Sequence, residues 1–387
     1  MIEEEWGLHL PVRNESANNE YILQVTRDQN FQRPSCSGSP KVSALRDEEY
    51  LLRVDANRVV VAGRTARALL WGAMTLRQLI TSRDEALCIQ GVEIRDLPHY
   101  GLRGFMIDSG RAPNSLPKLK RIIRICSAFK LNALFFREGD DELNAVRYST
   151  NRLGSLNPFA FSMEELAELS RYAEMHGIAL IPEVESLGHS TAKGIHYPEL
   201  VSGGFDEAYP GIGVHVRKSH LAPCDPRTLE LLESMYDELF CVPGQPAIHL
   251  GLDEVRLPAE AQADHMAGGS GSGHTPYSKS PYDAAYGNLA AWAKWGKRFE
   301  NYVGLFAVQW SGNMTDEWLP DFLAAADFGW TPPVRIPPHD SLDRRIRDHL
   351  SRLTDAADPR PAEVDRPAWD RIWLKGDQWD EEILTRS

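Results

Sequence analysis

With 387 residues and a hydrophobic fraction of 42%, the chain holds enough apolar material for one large domain and a small companion. A net charge of −13 argues against nucleic acid as a partner and for a neutral or cationic ligand. No stretch approaches the ~20 apolar residues of a membrane span, and the five cysteines make no CxxC pair, so no membrane partner, disulfide framework or zinc knuckle is expected.

Residues 1–96 read as a small α+β domain. YILQV (21–25) and YLLRVDANRVVVAG (50–63) supply strands, the second broken by Asp55-Ala56-Asn57 in the manner of a hairpin. ARALLWGAMTLRQLI then sets Leu69, Leu70, Ala73, Leu76 and Ile80 at helical spacing, one apolar face to lay on that sheet. ALCIQGVEI reads as one further strand before the break at Asp96-Leu97-Pro98. The domain boundary is expected there, with a barrel domain over 97–387.

From residue 100 onward strands and helices alternate. GLRGFMID is continuously apolar, as a strand covered on both faces should be. A helix after Pro117 places Leu119, Ile122, Ile123 and Cys126 on one side, and NALFF is the next strand. The helix from Met163 opens with Ser162 and Glu165 at capping-box spacing and stops at Gly177. IALIPEVE resumes the sheet, and Asp225-Pro226 starts a helix with Leu229, Leu232, Met235 and Leu239 aligned. That helix delivers the chain to the strand AIHLGLDEV (247–255).

Such alternation builds a parallel sheet, open or closed. No GxGxxG or GxxxxGK follows any of these strands, so nucleotide binding on an open sheet is not expected. Each strand instead ends in a charged or polar cluster: Asp108 and Arg111, Arg137 to Asp141, Glu183 to His189, then Asp253 and Glu254. Recurrence at the same end four times favours one shared site on the C-terminal face of a (β/α)8-type TIM barrel. The twelve histidines show no HxH or HxxxH spacing, and neither a metal nor an organic cofactor is expected. The start, MIEEEWGLHL, is acidic where a secretory signal is basic. A cytoplasmic location is the expectation, or a secreted or periplasmic one if a leader has been trimmed.

Asp253 and Glu254 are adjacent acids at a strand tip, where each disfavours ionisation of the other. Alone, the pair fits a strand that surfaces into solvent with its acids capping a following helix.

The order of RGFMIDSGR, KLNALFFREGDD, IPEVESLGHS with HYPEL, and HLGLDEV resembles glycoside hydrolase family 20, the β-N-acetylhexosaminidases, with the small α+β domain that precedes their barrel. The resemblance implies a retaining exo-glycosidase in which the substrate's own 2-acetamido oxygen attacks the anomeric carbon, so that one enzyme acid meets the glycosidic bond. Glu254 would be that general acid and later base, and Asp253 would hold the acetamide N–H. Arg111 matches the arginine that grips sugar hydroxyls, while Asp140 and His189 match a polar pair supporting the acid and the pocket floor. Trp310 in FAVQWSG and Trp330 in DFGWTP stand where strands 5 and 6 should end, and an indole face packs against a sugar ring or an acetamide methyl, with a buried core tryptophan the competing reading of each. The chain departs from the family pattern in carrying Arg137 for a histidine, and Glu185 and Leu187 for Asp and Pro. Its C-terminal third diverges: Tyr302 is the last tyrosine, where the family places a tyrosine after strand 7 and a tryptophan with an acid at strand 8. A barrel incomplete or irregular at that end is expected. Two alternatives stay open: a hydrolase of the same fold acting on plain β-glycosides, and a carbohydrate-binding protein with a decayed site.

Overall fold

The computed structural model describes residues 22–27, 47–83, 86–110, 114–140, 144–155, 157, 159–200, 206–208, 215–217, 220–244, 246–252, 304–309, 319–331, 335, 337–338, 340–342 and 344. The first sheet combines β1 (Ile22–Arg27), β2 (Tyr50–Val54), β3 (Arg58–Gly63) and β6 (Val92–Asp96) in the order β1-β3-β2-β6. β1 runs parallel to β3, and the other pairs are antiparallel. The β2–β3 turn forms because Asp55 Oδ1 accepts from the N–H groups of Asn57 and Arg58, at 2.9 and 3.0 Å, an Asx-turn that stands in for ladder bonds.

Helix α1 (Ala66–Leu79) is capped by Thr65, whose Oγ1 accepts from Ala68 N at 3.1 Å. It buries Ala68, Trp71, Met74 and Leu76 on the sheet, whereas Leu69 and Leu70 are only half-buried. Gly72 sets the closeness of that packing: a Cβ there would lie 2.5 Å from Val61 Cγ1. ALCIQGVEI, expected as one strand, divides in two. β4 (Ile80–Arg83) and β5 (Ala86–Ile89) form a separate antiparallel pair, and β6 returns to β2. Gln90-Gly91 is where the chain changes sheets, since β6 must meet β2 in the register Val54↔Val92 while β5 follows β4.

The second sheet is parallel, in the order β12 (Gly304–Gln309), β7 (Leu102–Asp108), β8 (Ala133–Arg137), β9 (Ala179–Glu183). His249 extends it past β9, bridging to Glu183 with its N–H on Pro182 O at 2.8 Å and its C=O accepting from Val184 N at 2.9 Å. Helices α2 (Leu116–Ala128), α3 (Met163–Met175), α4 (Thr191–His196), α5 (Pro226–Phe240) and α6 (Leu319–Trp330) fall in the intervening segments. A small antiparallel pair, β10 (Asp206–Ala208) and β11 (His215–Arg217), precedes α5. Among the described residues no helix is long and apolar enough to cross a membrane.

The pleat sorts the strand residues. Phe105, Ile107, Leu134 and Phe136 pack outward in the main core with Leu119, Ile122, Ile123, Leu166 and Leu169 of the helices. Met106, Ala133, Phe135 and Ile181 form a separate cluster on the other face. Burial on both faces is why these strands are continuously apolar. The α3 capping box is present as expected, Ser162 Oγ accepting from Glu165 N and Glu165 returning to Ser162 N. In α5, Leu232, Met235 and Leu239 are buried as expected, whereas Leu229 is exposed and Leu231 turns inward in its place.

Two expectations about strands 5 and 6 are corrected. β12, the strand ahead of Trp310, pairs with β7 from Gly304↔Leu102 to Gln309↔Ile107. It flanks the first parallel strand on the side away from β8, which in a closed barrel is the place of the last strand and not of the fifth. Trp330 ends no strand: it closes α6, the helix after β12, and its backbone C=O accepts from His99 N at 2.8 Å.

Candidate active site

Parallel register lines up one row of polar side chains at the C-terminal ends of the strands. Asp108 pairs with Arg137, Arg137 with Glu183, and Glu183 with His249. Asp108, Arg137 and Glu183 share the pleat of Met106, Phe135 and Ile181, so this row continues the inner face. Glu185, two residues beyond Glu183, returns to the same side.

Arg137 is the centre of the row. Its Nε donates to Asp140 Oδ2 at 2.8 Å, and its Nη1 reaches Glu183 Oε1 at 3.0 Å and Glu185 Oε1 at shorter range. Arg137, Asp140, Glu183 and Glu185 are all within 1% of complete burial. Burial pulls the Arg137 pKa down, but Glu183, Asp140, Glu185 and Asp108 outweigh it and raise the pKa above the usual guanidinium value. The cation that gathers these carboxylates is therefore permanent.

Asp140 is shared: its second oxygen lies 3.4 Å from His189 Nδ1. His189 has φ 42, a left-handed backbone uncommon for a side-chain-bearing residue and often found where a side chain must be aimed. Two glycines let neighbouring segments close on the cluster. A Cβ on Gly110 would sit 2.4 Å from Asp140 N, and one on Gly251 would sit 2.0 Å from Glu183 Oε1. Ser186 N donates to Gly251 O at 3.0 Å, so the chain passes over both glutamates two residues before Asp253.

Glu138 takes the opposite pleat from Arg137 and is fully buried. Asn144 Nδ2 donates to its Oε2 at 3.3 Å. Burial raises the Glu138 pKa, opposed by the charge of Lys193, itself fully buried, and by hydrogen bonds from Asn144 and Tyr148. The same burial, with the charge of Glu138, pushes the Tyr148 phenol well above its ordinary value.

Of the residues expected from sequence, Asp140 and His189 come together as an adjoining pair. Trp330 goes elsewhere: its indole Nε1 donates to Asp96 Oδ2 at 2.6 Å, and its ring packs with Trp71 of α1 and under the Arg103 guanidinium. Arg103 is near the N-terminal end of β7 and Asp108 at its C-terminal end, so Trp330 belongs to the base of the sheet and to the contact with the first sheet. Its indole is the core tryptophan of the two readings. Arg111, Asp253, Glu254 and Trp310 lie outside the described residues. Sequence reading named Glu183 only as the start of the third polar cluster, and it did not single out Glu138 or Lys193. The i,i+2 acids of PEVE signalled a shared face for Glu183 and Glu185, whereas the pairing with Arg137 depends on strand register.

Comparison with known proteins gives this arrangement a family. Residues 100–285 match the model of the glycosyl hydrolase family 20 catalytic domain, and residues 2–97 match that family's domain 2. Beta-hexosaminidase A of Caenorhabditis briggsae is 30% identical over 266 residues, covering 65% of this chain and 45% of its own length. Beta-N-acetylhexosaminidase of Cellulomonas fimi is 30% identical over 239 residues, covering 56% of this chain and 48% of its own. The chain thus spans about half the length of these relatives. In fold it is similar to the crystal structure of an exo β-N-acetylglucosaminidase from Vibrio harveyi, with a TM-score of 0.64 at 17% identity over 91% of this chain and 70% of that one. Two consecutive domain models of a single family, together with these relatives, place this chain in glycosyl hydrolase family 20.

Proposed function

We propose that the chain is a retaining exo-glycosidase that removes a terminal β-linked N-acetylhexosamine, with the sugar's 2-acetamido oxygen as nucleophile. In this reading the sugar lies over the row Asp108, Arg137, Glu183 and His249. Glu254 protonates the glycosidic oxygen as it leaves, and then takes a proton from the water that opens the oxazolinium ion. Asp253 accepts from the acetamide N–H, which aims the acetamide oxygen and offsets the positive charge that develops on the ring. Arg111 holds sugar hydroxyls with its planar fork, and Asp140 and His189 brace the pocket floor. Trp310 is proposed to pack its indole on the sugar. It directly follows β12, which flanks the first parallel strand, the neighbourhood in which the family carries its strand-8 tryptophan. Closure of the sheet into a full eight-stranded barrel is part of the same proposal.

The observation that carries the reading is the catalytic-domain match over 100–285, joined to a polar row that ends at His249, four residues before Asp253 in the sequence. The names of the relatives from Caenorhabditis briggsae and Cellulomonas fimi support the same substrate class.

Initial rates on aryl N-acetyl-β-glucosaminide, N-acetyl-β-galactosaminide and plain β-glucoside test it. Turnover is expected on the acetamido sugars and not on the glucoside, with inhibition by a thiazoline mimic of the oxazolinium. Turnover of the glucoside with indifference to the thiazoline overturns the substrate-assisted mechanism.

A further inference from the structure

Arg137 and Glu185 are both buried, and they touch: Arg137 Nη1 is in contact with Glu185 Oε1. We infer that Arg137 is a positioning residue for the acid pair that follows Gly251, and that Glu185 is its matched partner. This inference rests on the glycosidase reading above.

The geometry supplies the reason. Glu183 and Glu185 lie under the chain where it passes Gly251, as the 2.0 Å and 2.9 Å approaches of a Cβ there to Glu183 Oε1 and Glu185 Cδ make plain. Those two carboxylates are held by one guanidinium, whose Nε also holds Asp140. Arg137 thus fixes the floor on which residues 249–251 rest, and the chain leaves that floor for Asp253. An aspartate at 185 would draw its carboxylate back by about one C–C bond, roughly 1.5 Å. An imidazole at 137 lacks the fork that serves three carboxylates at once.

Arginine at 137 also sets the pH behaviour. The charged and titratable groups facing Arg137 are Asp108 from β7, Asp140 after β8, and Glu183 and Glu185 from β9 and its exit. His189 stands beside Asp140 and His249 beside Glu183, the latter at 3.9 Å. A histidine at 137 would gather the carboxylates only while protonated, whereas arginine gathers them at every pH the enzyme meets.

The test compares wild type with Arg137→His, Arg137→Lys, Glu185→Asp and the double variant Arg137→His/Glu185→Asp. It measures kcat/KM on aryl N-acetyl-β-glucosaminide from pH 5 to 9, with thermal unfolding at each pH. Arg137→His is expected to gain a second alkaline limb beyond the one that deprotonation of Glu254 gives wild type, falling by a further tenfold or so per pH unit once its imidazole is neutral. Arg137→Lys keeps the charge and gains no such limb. Glu185→Asp is expected to lower the rate in the arginine background and not in the histidine background. An Arg137→His profile parallel to wild type at all pH values overturns the positioning role, since lost packing alone lowers the rate by one factor throughout. Equal losses from Glu185→Asp in both backgrounds overturn the pairing. Should Arg137→His not fold, the cycle with Arg137→Lys reads the same coupling. A folded wild type that turns over none of the sugars overturns the glycosidase reading and this inference with it, whereas an active wild type with parallel profiles overturns this inference alone.

Discussion

Arg137 and Glu138 are neighbours at one strand end, and the pleat gives them opposite surroundings. Arg137 meets a surplus of carboxylates, so its charge is held. Glu138 is buried, and its pKa rises despite Lys193. A carboxyl whose folded-state pKa exceeds its unfolded value of about 4.3 contributes its full stability below that pH and loses it as the pH climbs through the folded value. Glu138→Gln keeps an acceptor for Asn144 and removes that loss. The variant is therefore expected to unfold at a higher temperature than wild type at pH 8, with the difference closing toward pH 4; thermal scans at the two pH values check it. A variant less stable at pH 8 than at pH 4 relative to wild type would show that the Lys193 charge dominates. Asp140 and His189 were legible as site candidates because their types and spacing follow a motif. Glu138 and Lys193 were not, because a buried charge reads like a surface one until its neighbours are known.

At the scale of elements, local chemistry was the readable part. The α3 capping box, the turn at Asp55 after β2 and the apolar period of α2 all depend on residues a few positions apart, and each occurs where the sequence put it. Three features depend on partners far along the chain, and these were misread. ALCIQGVEI splits because its halves pair with different strands. Leu229 lies in the first turn of α5, where helical phase alone does not fix which leucine faces the core. The strand of FAVQWSG was counted in sequence order as the fifth, but pairing places it beside the first parallel strand. Periodicity tells which way a side chain faces, and it is silent on which strand lies next door. The consequence for the site is concrete, since Trp330 closes a helix at the opposite end of the sheet from Asp108.

At the scale of the molecule, the two sheets are joined through buried charge. Arg103, at the base of β7, is fully buried. Its Nη2 donates to Glu48 Oε2 at 2.6 Å, its Nη1 to Tyr100 O at 2.7 Å and its Nε to Lys130 O at 3.0 Å. Glu48 also accepts from Trp71 Nε1 at 2.6 Å, and Lys130 lies over the Trp330 ring at 4.3 Å while donating to Tyr50 OH. Removing Glu48 leaves a buried guanidinium without its counter-charge, a loss of about 3–5 kcal/mol. Wild type is expected to show one calorimetric unfolding transition, and Glu48→Ala to lower its midpoint or divide it in two. Two well-separated transitions in wild type would mean that the sheets fold independently. The chemistry proposed for the site at the other end of β7 falls to Glu254. The most direct measurement is the steady-state rate of Glu254→Gln on an aryl N-acetyl-β-glucosaminide beside that of wild type. A fall of about a hundredfold or more, with the fold intact, is the outcome expected for loss of a general acid; a rate equal to wild type would contradict the account.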